Sequence, residues 1–290
     1  MGESKKNAGI ELAKAGLGCF ATLMAAVIGG VFLLINSDRS ARVAATPTPA
    51  PTPTIAATAE TFCTGDQTWL TRAYFPEDEI KTCWDQNDYL TGLAYSDGDW
   101  LAVMSKGTGF TNQAYVQNAD LSKDKIREYW DRGFDITGAQ YGNGQWVMVM
   151  SIGTGYKDQV YYLRSAFPDR DIQDRWNQGY HITVAAYGNG MWLIVMSSGT
   201  PYKDQRYHID ASFAADGVND DWNDGYDITS AAYGDGNWLV VMSQGTGYAD
   251  QALLRESVYP ENSIRQYWDK DYNVTTEAWG ADEWIVALSK

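Results

Sequence analysis

Four loops of this 290-residue chain share a glycine-rich pattern that ends in an aromatic residue. The aromatic residues are Phe110, Tyr156, Tyr202 and Tyr248. Aromatic side chains that carry a polar edge are suited to contacts with proteins or sugars. A phosphate cradle is excluded, because no helix follows directly and the P-loop lysine-serine pair is absent. We interpret these residues as a candidate binding surface. The alternative is that each ring packs on the neighbouring repeat and the loop is only a shaped connection.

Each of these loops is followed by an acidic or amide residue and then a glutamine. The first members of these pairs are Asn112, Asp158, Asp204 and Asp250. One interpretation is a polar ring that binds a cation or another ligand. The other, which we favour, is that the side chains accept backbone N–H bonds and fix the turn.

Threonine and serine recur at fixed positions, and we expect them to bridge neighbouring repeats. They are Thr91, Thr137, Thr183, Thr229, Thr275, Ser105, Ser151, Ser197, Ser243 and Ser289.

The sequence gives little indication of catalysis or of metal binding. His181 and His208 fall at different repeat positions, and neither has a companion at ligand spacing for zinc. The run 220–225 superficially suggests a calcium loop, but Trp222 takes a ligand position and the terminal glutamate is missing. Carboxylate pairs for sugar hydrolysis stay open, because the sequence does not show which distant acids meet. An active site needs an asymmetric set of roles, so the repetition favours binding over an enzyme, with no cofactor and no metal.

Two sets of tryptophans reveal the period of the chain. They are Trp84, Trp130, Trp176, Trp222 and Trp268, and Trp100, Trp146, Trp192, Trp238 and Trp284. Every step within each set is 46 residues, without a gap. Residues 61–290 are therefore five copies of one 46-residue repeat.

The fourth copy shows the elements that must position the loops. Residues 228–233 and 238–242 read as two strands joined by a tight turn at Asp235-Gly236. The second strand is wholly apolar, which is typical of a strand covered on both faces. A more mixed third strand runs through Leu253, and a short helix leads from Pro260 to Trp268. Glycine, asparagine or aspartate follows each helix, as a left-handed helix end requires.

The phase of the repeats predicts how they assemble. The chain enters its domain with a third strand and a helix, and it ends after a second strand. We therefore predict a mainly β fold with short helices, a five-bladed β-propeller-like closed ring in which the first and last segments share one blade. The alternative is another closed or stacked α+β repeat array.

The run from Trp222 to Ser243 also resembles a known family. It is similar to the tryptophan-rich repeat domain that follows the catalytic domain in plant casein kinase I-like protein kinases and that occurs in bacterial stand-alone or fused proteins. The likeness covers roughly residues 66–290 and rests on the ordered I-T-S, Y-G-x-G-x-W and V-M-S elements. The resemblance implies an interaction domain. Kinase activity is not implied, because the glycine loop with its lysine and the catalytic aspartate motifs are absent.

The amino-terminal part reads as a membrane anchor followed by a stalk. Residues 15–35 carry no charge and span roughly 31 Å as a helix, enough for a transmembrane segment. A cleaved signal peptide is the alternative, since Ala44 and Ala45 mimic a cleavage site. The lysines of residues 1–14 favour a cytoplasmic amino terminus, and the alternating prolines of residues 36–60 favour an extended stalk.

Charge and cysteine usage agree with a domain outside the cytoplasm. The chain carries a net charge of −15, and residues 61–290, with 17 basic and 33 acidic residues, are near −16. Nucleic acid and anionic lipid surfaces would repel such a domain. Cys63 and Cys83 are a candidate disulfide pair, the alternative being two buried small apolar residues.

These observations lead to one expected function and two alternatives. We expect a single-pass, extracytoplasmic interaction module that binds a protein partner or serves as an accessory subunit of a membrane complex. The first alternative is a multivalent carbohydrate-binding domain, and the second is a glycosidase-like enzyme.

Overall fold

The computed structural model of this protein describes residues 3–4 and 63–290. The predicted transmembrane helix at 15–35 and the predicted stalk at 36–60 lie outside the described residues. Within the part that is described, no helix is both long enough and apolar enough to cross a bilayer.

Residues 67–289 form the same four elements five times, and the fold is mainly β, as predicted. The long strands in chain order are β2 (Gln67–Arg72), β3 (Tyr89–Ser96), β4 (Asp99–Ser105), β5 (Asn112–Asn118), β6 (Asp135–Gly142), β7 (Gln145–Ile152), β8 (Asp158–Arg164), β9 (Tyr180–Gly188), β10 (Met191–Ser198), β11 (Asp204–Asp210), β12 (Asp227–Gly234), β13 (Asn237–Gln244), β14 (Gln251–Glu256), β15 (Asn273–Gly280) and β16 (Glu283–Ser289). The helices are α1 (Glu77–Trp84), α2 (Lys123–Asp131), α3 (Asp169–Trp176), α4 (Ala215–Asn223) and α5 (Glu261–Trp268).

The turns predicted from residue types have the expected backbone conformations. Asp97, Asn143, Asn189 and Asp235 open the tight hairpins with φ between 49° and 51°. Each helix is followed by a residue in the left-handed region, for example Gly133 with φ 85° and Asn87 with φ 59°. These positions confirm the predicted hairpins and helix ends.

The long strands form five three-stranded antiparallel sheets, and in each the apolar strand lies in the middle. The sheets are β2-β4-β3, β5-β7-β6, β8-β10-β9, β11-β13-β12 and β14-β16-β15. A two-residue strand, β1 (Glu3–Ser4), also pairs with the edge of the third sheet, where Glu3 is opposite Tyr161. The middle strands are buried on both faces, which confirms the prediction from their continuous apolar sequence.

The prediction that the first and last segments share one sheet is wrong. Trp69 in β2 pairs with Val103 in β4, and Trp284 in β16 pairs with Glu256 in β14. The third strand of each predicted unit therefore joins the sheet that follows it along the chain. The loop before this strand contains glycines at positive φ, such as Gly245 at 82° and Gly247 at 85°, and it leads the chain to the next sheet. Because the described domain begins with such a strand, the three long strands of every sheet come from one contiguous stretch of the chain.

The core consists of clusters that each join two neighbouring sheets. Trp100 and Met104 of β4 pack with Val147 and Val149 of β7, for example. The fifth and first sheets meet in the same way, because Val286 of β16 belongs to one buried cluster with residues of β4. Apolar burial therefore links the last sheet to the first as it links the others.

A glutamine, buried at four of the five junctions and partly buried at the fifth, makes the polar link at every one of them. Oε1 of Gln113 in β5 accepts hydrogen bonds from Nε1 of Trp84 (2.8 Å) and from the backbone N–H of Leu90 (2.7 Å), both in the preceding repeat. Its Nε2 donates to the carbonyl oxygen of Leu90 (3.0 Å) and to Oγ of Ser151 (2.9 Å) in its own sheet. All the hydrogen-bonding capacity of the amide is used.

The same four bonds recur at the other junctions, including the one between the ends of the domain. Their glutamines are Gln67, Gln159, Gln205 and Gln251. Gln67 in β2 accepts from Nε1 of Trp268 (3.0 Å) and from the backbone N–H of Val274 (2.7 Å). We call this arrangement the glutamine clamp. Together with the apolar clusters, it attaches each sheet to its neighbour.

Replacing one clamp should therefore destabilise the whole domain. Gln113→Ala leaves the polar groups of Leu90 and the indole N–H of Trp84 without partners in a buried place. We expect a loss of about 2–4 kcal/mol in the free energy of unfolding, measured by urea denaturation. Gln117→Ala is the matched control, because Gln117 lies exposed on the same strand and should change stability by less than about 0.5 kcal/mol. Equal stability of the two variants would show that the clamp contributes nothing.

Candidate functional site

The first strands of the hairpins face one another and enclose a small cavity. β3, β6, β9, β12 and β15 contact each other in this order, and β15 also contacts β3. Residues of all five strands line a cavity of about 110 Å³, which we call the central cavity. Its lining includes one of the recurring threonines from each sheet: Thr91, Thr137, Thr183, Thr229 and Thr275. The cavity is thus lined mostly by small and polar side chains.

The threonine-serine pairs do not bridge neighbouring repeats, so that prediction is wrong. Oγ1 of Thr137 and Oγ of Ser151 are 2.7 Å apart within one sheet, and Thr91 and Ser105 are 2.6 Å apart within another. The reason is the hairpin register, which places the two residues on adjacent strands of the same repeat. The serine is connected to the preceding sheet through the glutamine clamp.

One acidic residue breaks the repeat pattern of the central cavity. Glu277 occupies the position that Leu93, Ala139, Ala185 and Ala231 fill in the other repeats. Its side chain extends toward β3, because a Cβ atom added to Gly92 would lie 2.1 Å from Oε1 of Glu277. Among the described residues, this Oε1 atom is buried and has no hydrogen-bond partner. Burial disfavours the charged carboxylate and raises the pKa of Glu277 to about 8.

The aromatic loops are shaped by their threonine residues. Oγ1 of Thr154 donates to Oδ2 of Asp135 at 2.5 Å and accepts from the backbone N–H of Tyr156 at 3.1 Å. The fourth repeat has the same two bonds at Thr246, and in the third Thr200 contacts Nδ1 of His181 at 2.7 Å. In these loops the threonine side chain therefore fixes the position of the backbone that carries the aromatic residue.

Three of the four loop aromatics, Tyr156, Tyr202 and Tyr248, lie within electrostatic range of one another. Burial is the main cause of the raised pKa of Tyr156, about 12, and the nearby Asp135 and then Tyr248 add to it. Burial also raises the pKa of Tyr202, with contributions from Tyr156 and Tyr248. Tyr248 nevertheless keeps 37% of its surface exposed. The fourth ring, Phe110, is half-buried and packs edge-on against Tyr89 at 6.0 Å.

The Asp and Asn residues that follow the loops lie at separate junctions. Oδ2 of Asp158 accepts from the hydroxyl of Tyr180 at 2.7 Å, and Asp204 accepts from Tyr226 at 2.5 Å. Asp250 likewise accepts from the hydroxyl of Tyr272, and Asn112 accepts from the backbone N–H of Gln113. Such contacts fix local structure. Over residues 63–290, no group of three or more histidine, cysteine or acidic side chains is arranged to hold a metal ion.

Cys63 and Cys83 form a disulfide bond, with their Cα atoms 5.6 Å apart. Both residues are buried in the apolar cluster that joins β4 to β7, and Cys83 belongs to α1. The bond ties the start of the described domain to the helix of the first repeat. Its contribution is structural, since both cysteines are buried.

A second departure from the repeat leaves a groove between α4 and the fifth sheet. At four junctions an aromatic ring packs on the tryptophan of the preceding helix, as Tyr207 does on Trp176 with ring centroids 5.6 Å apart. The corresponding residue in β14 is Leu253, which is too small to fill the space. A groove of about 480 Å³ remains there, lined by Trp222, Tyr267 and Asp250 among others.

Sequence reasoning missed both Glu277 and the groove beside Leu253. The signal was present in the sequence as a departure from the repeat at one position. A departure at one position does not belong to the 46-residue period, so the residues that the five copies share give no indication of it.

The buried carboxyl group predicts a pH-dependent stability. The unfolded chain releases the Glu277 proton near pH 4.5, whereas the folded protein retains it up to about pH 8. Since the folded state binds more protons in this window, the free energy of unfolding falls as the pH rises from 4.5 to 8, by up to about 1.4 kcal/mol per pH unit. Glu277→Gln should remove this part of the slope in urea denaturation in buffers without alkali-metal salts. Glu256→Gln, at an exposed position, should leave it unchanged, and an unaltered slope in Glu277→Gln would contradict the assignment.

A comparison with known protein families finds one match that covers most of the chain. The model of a domain of unknown function, DUF7477, matches residues 53–189 and again residues 184–290. No curated protein matches the chain. The two consecutive matches together span the repeats described above, and the chain therefore belongs to this family, the domain of unknown function DUF7477.

Proposed function

We propose that this chain is a membrane-anchored, extracytoplasmic module that binds a protein partner through its loop aromatics. In this proposal the five sheets are the blades of a closed five-bladed propeller. The contacts of β15 with β3 and the Gln67 clamp support the closed ring, because they repeat what is found at the other junctions. The resemblance to the tryptophan-rich domain of plant casein kinase I-like kinases also favours an interaction role.

The observation that carries the binding proposal is the convergence of Tyr156, Tyr202 and Tyr248. The loops that follow three successive sheets carry these tyrosines within electrostatic range of one another, and Tyr248 remains 37% exposed. Tyrosine combines a large apolar surface with a polar hydroxyl group and loses little conformational entropy on binding, so it is frequent at interface hot spots. The strongly acidic domain would favour a basic partner surface.

The repeated architecture supports a binding role over an enzymatic one. The four loops are equivalent, and acidic side chains near them, namely Asp158, Asp204 and Asp227, are engaged with tyrosine or threonine hydroxyl groups. A catalytic centre would need one set of unlike groups around a reacting atom.

Site-specific photo-crosslinking tests the protein-binding proposal. A benzophenone side chain in place of Tyr248 in the full-length chain should form a covalent adduct with one membrane-associated partner, identified by mass spectrometry. The same replacement at Tyr74, which is 59% exposed, is the control and should give no such adduct. An adduct pattern identical at both positions would reject the loop aromatics as the binding surface.

Protease treatment of intact cells that carry the crosslinked protein tests the anchoring part of the proposal. Protease added to intact cells should remove the adduct if residues 15–35 hold the domain outside. This matters because the pairing of Glu3 with Tyr161 in β8 places the amino terminus beside the domain. In a chain whose residues 15–35 cross the membrane, residues 3–4 lie on the opposite side from β8 and this pairing does not form, so the proposal applies to the anchored chain without it. An adduct that survives protease until the membrane is opened would overturn the external location.

The groove beside Leu253 favours carbohydrate binding as the second candidate function. Its aromatic residues Trp222 and Tyr267 and its carboxylate Asp250 are the side-chain types that contact sugar rings and hydroxyl groups. Because aromatic rings fill the other junctions, this candidate is a single site rather than five equivalent ones.

Filling the groove provides the test of this second function. Leu253→Tyr places in the fifth repeat the ring that the second, third and fourth β-sheets already carry at this position. On a glycan array, any oligosaccharide bound by the wild type should bind at least tenfold more weakly to this variant. Leu254→Phe, at the next residue of β14, controls for added bulk. If the wild-type protein retains no glycan, this candidate is rejected.

A further inference from the structure

The lining of the central cavity has the chemistry of a cation site. Glu277 is its one ionisable lining residue, and its buried Oε1 atom has no hydrogen-bond partner among the described residues. An unpaired buried carboxylate is costly, whereas a bound cation compensates its charge. The other repeats place leucine or alanine at this position, so the packing of the fold does not require an acid there.

The threonine hydroxyl groups around the cavity retain free lone pairs. In the fourth repeat, Oε1 of Gln205 accepts from Nε1 of Trp176, which can only donate, and this fixes the orientation of the amide. Nε2 of Gln205 therefore donates to Oγ of Ser243, which lies 2.7 Å from Oγ1 of Thr229. Whichever hydroxyl of this last pair donates, the threonine oxygen accepts at most one bond and keeps at least one lone pair.

The size and charge of the cavity select the class of cation. Its volume of about 110 Å³ exceeds the roughly 10–15 Å³ that one water needs, so an ion and a few waters fit. A calcium or magnesium ion would keep one uncompensated positive charge here, because Glu277 is the single acid in the lining. One negative charge surrounded by neutral oxygen atoms matches one positive charge.

We propose that the central cavity binds one monovalent cation, an alkali-metal ion or ammonium, through the Glu277 carboxylate and the oxygen atoms of the threonine ring. Such an ion lies where the inner strands of all five sheets meet, and it stabilises their junctions. Sodium, potassium and ammonium share this chemistry and are distinguished by the experiment. The inference does not depend on the proposed partner binding, because no loop aromatic lines the cavity.

Thermal unfolding of the purified full-length chain tests the site. The Tm should rise by about 3–6 °C when NaCl, KCl or NH₄Cl replaces tetrabutylammonium chloride at equal ionic strength, and the best of the three salts identifies the ion. Tetrabutylammonium is too large for the cavity and controls for ionic strength. Glu277→Gln should abolish the difference between the salts, and Glu256→Gln should preserve it.

Direct binding provides a measurement that does not depend on the variants folding. Thallium(I), a heavy analogue of potassium, should give one anomalous scattering peak in the central cavity of wild-type crystals. Binding should also release about one proton per ion at pH 7, measured by calorimetry in two buffers, because the carboxyl group must ionise. Thr137→Val removes one oxygen from the ring and should weaken binding several-fold.

Several outcomes would overturn the proposal. Equal Tm values in all four salts would show that the cavity holds no cation, as would the absence of thallium from it. Salt effects that persist unchanged in Glu277→Gln would place the ion elsewhere. A preference for calcium or magnesium over all three monovalent ions would show that the assigned charge class is wrong. Loss of partner adducts at Tyr248 with the salt dependence intact would reject only the proposed function.

Discussion

The glutamine clamp is the interaction on which the arrangement of this domain depends. Hydrophobic burial brings the sheets together, but it is not directional and sets no register between them. The buried amide does set a register, because its four hydrogen bonds must be satisfied at once by an indole, a backbone N–H, a backbone carbonyl and a serine hydroxyl. A shift of one residue between neighbouring sheets would leave several of these groups unpaired and buried. This explains why tryptophan, glutamine and serine recur together at the same spacing.

Identical junctions make the exceptions informative. A residue that differs from its four counterparts is free of the constraint that the repeat imposes, so its type reflects a local requirement. Glu277 places a carboxyl group where the fold accepts alanine, and Leu253 leaves out a ring that the fold accommodates elsewhere. The Glu277 carboxyl group lowers the stability of the domain when it is charged and has no bound counter-ion. The small side chain of Leu253 leaves apolar surface in the groove uncovered. Chemistry in a repeat domain is best sought at such positions.

Much of the fold could be predicted from the sequence because its signals are local. The period follows from the tryptophans, the hairpins from the Asp-Gly and Asn-Gly turns, and the middle strands from runs such as Trp238 to Met242. The division into sheets could not be predicted, since the third strand has two possible partners and pairs with the one that lies farther along the chain, as β14 pairs with β16 and not with β13. Only the loop conformation decides between them. The role of Gln113 was hidden for a related reason, because its partners Trp84 and Leu90 are brought to it by packing between sheets.

The contiguity of each sheet has a consequence for the order in which the molecule assembles. Every sheet is complete once its own stretch of chain is available, so the sheets can form one after another during synthesis. Four junctions then join neighbours in sequence, as at Leu90 and Gln113, which are 23 residues apart. The fifth joins Gln67 to Val274 across 207 residues, and it must wait for the carboxyl-terminal sheet. Because long-range closure carries the larger entropic cost, this seam is where we place the slowest step of folding and the first opening of the native protein.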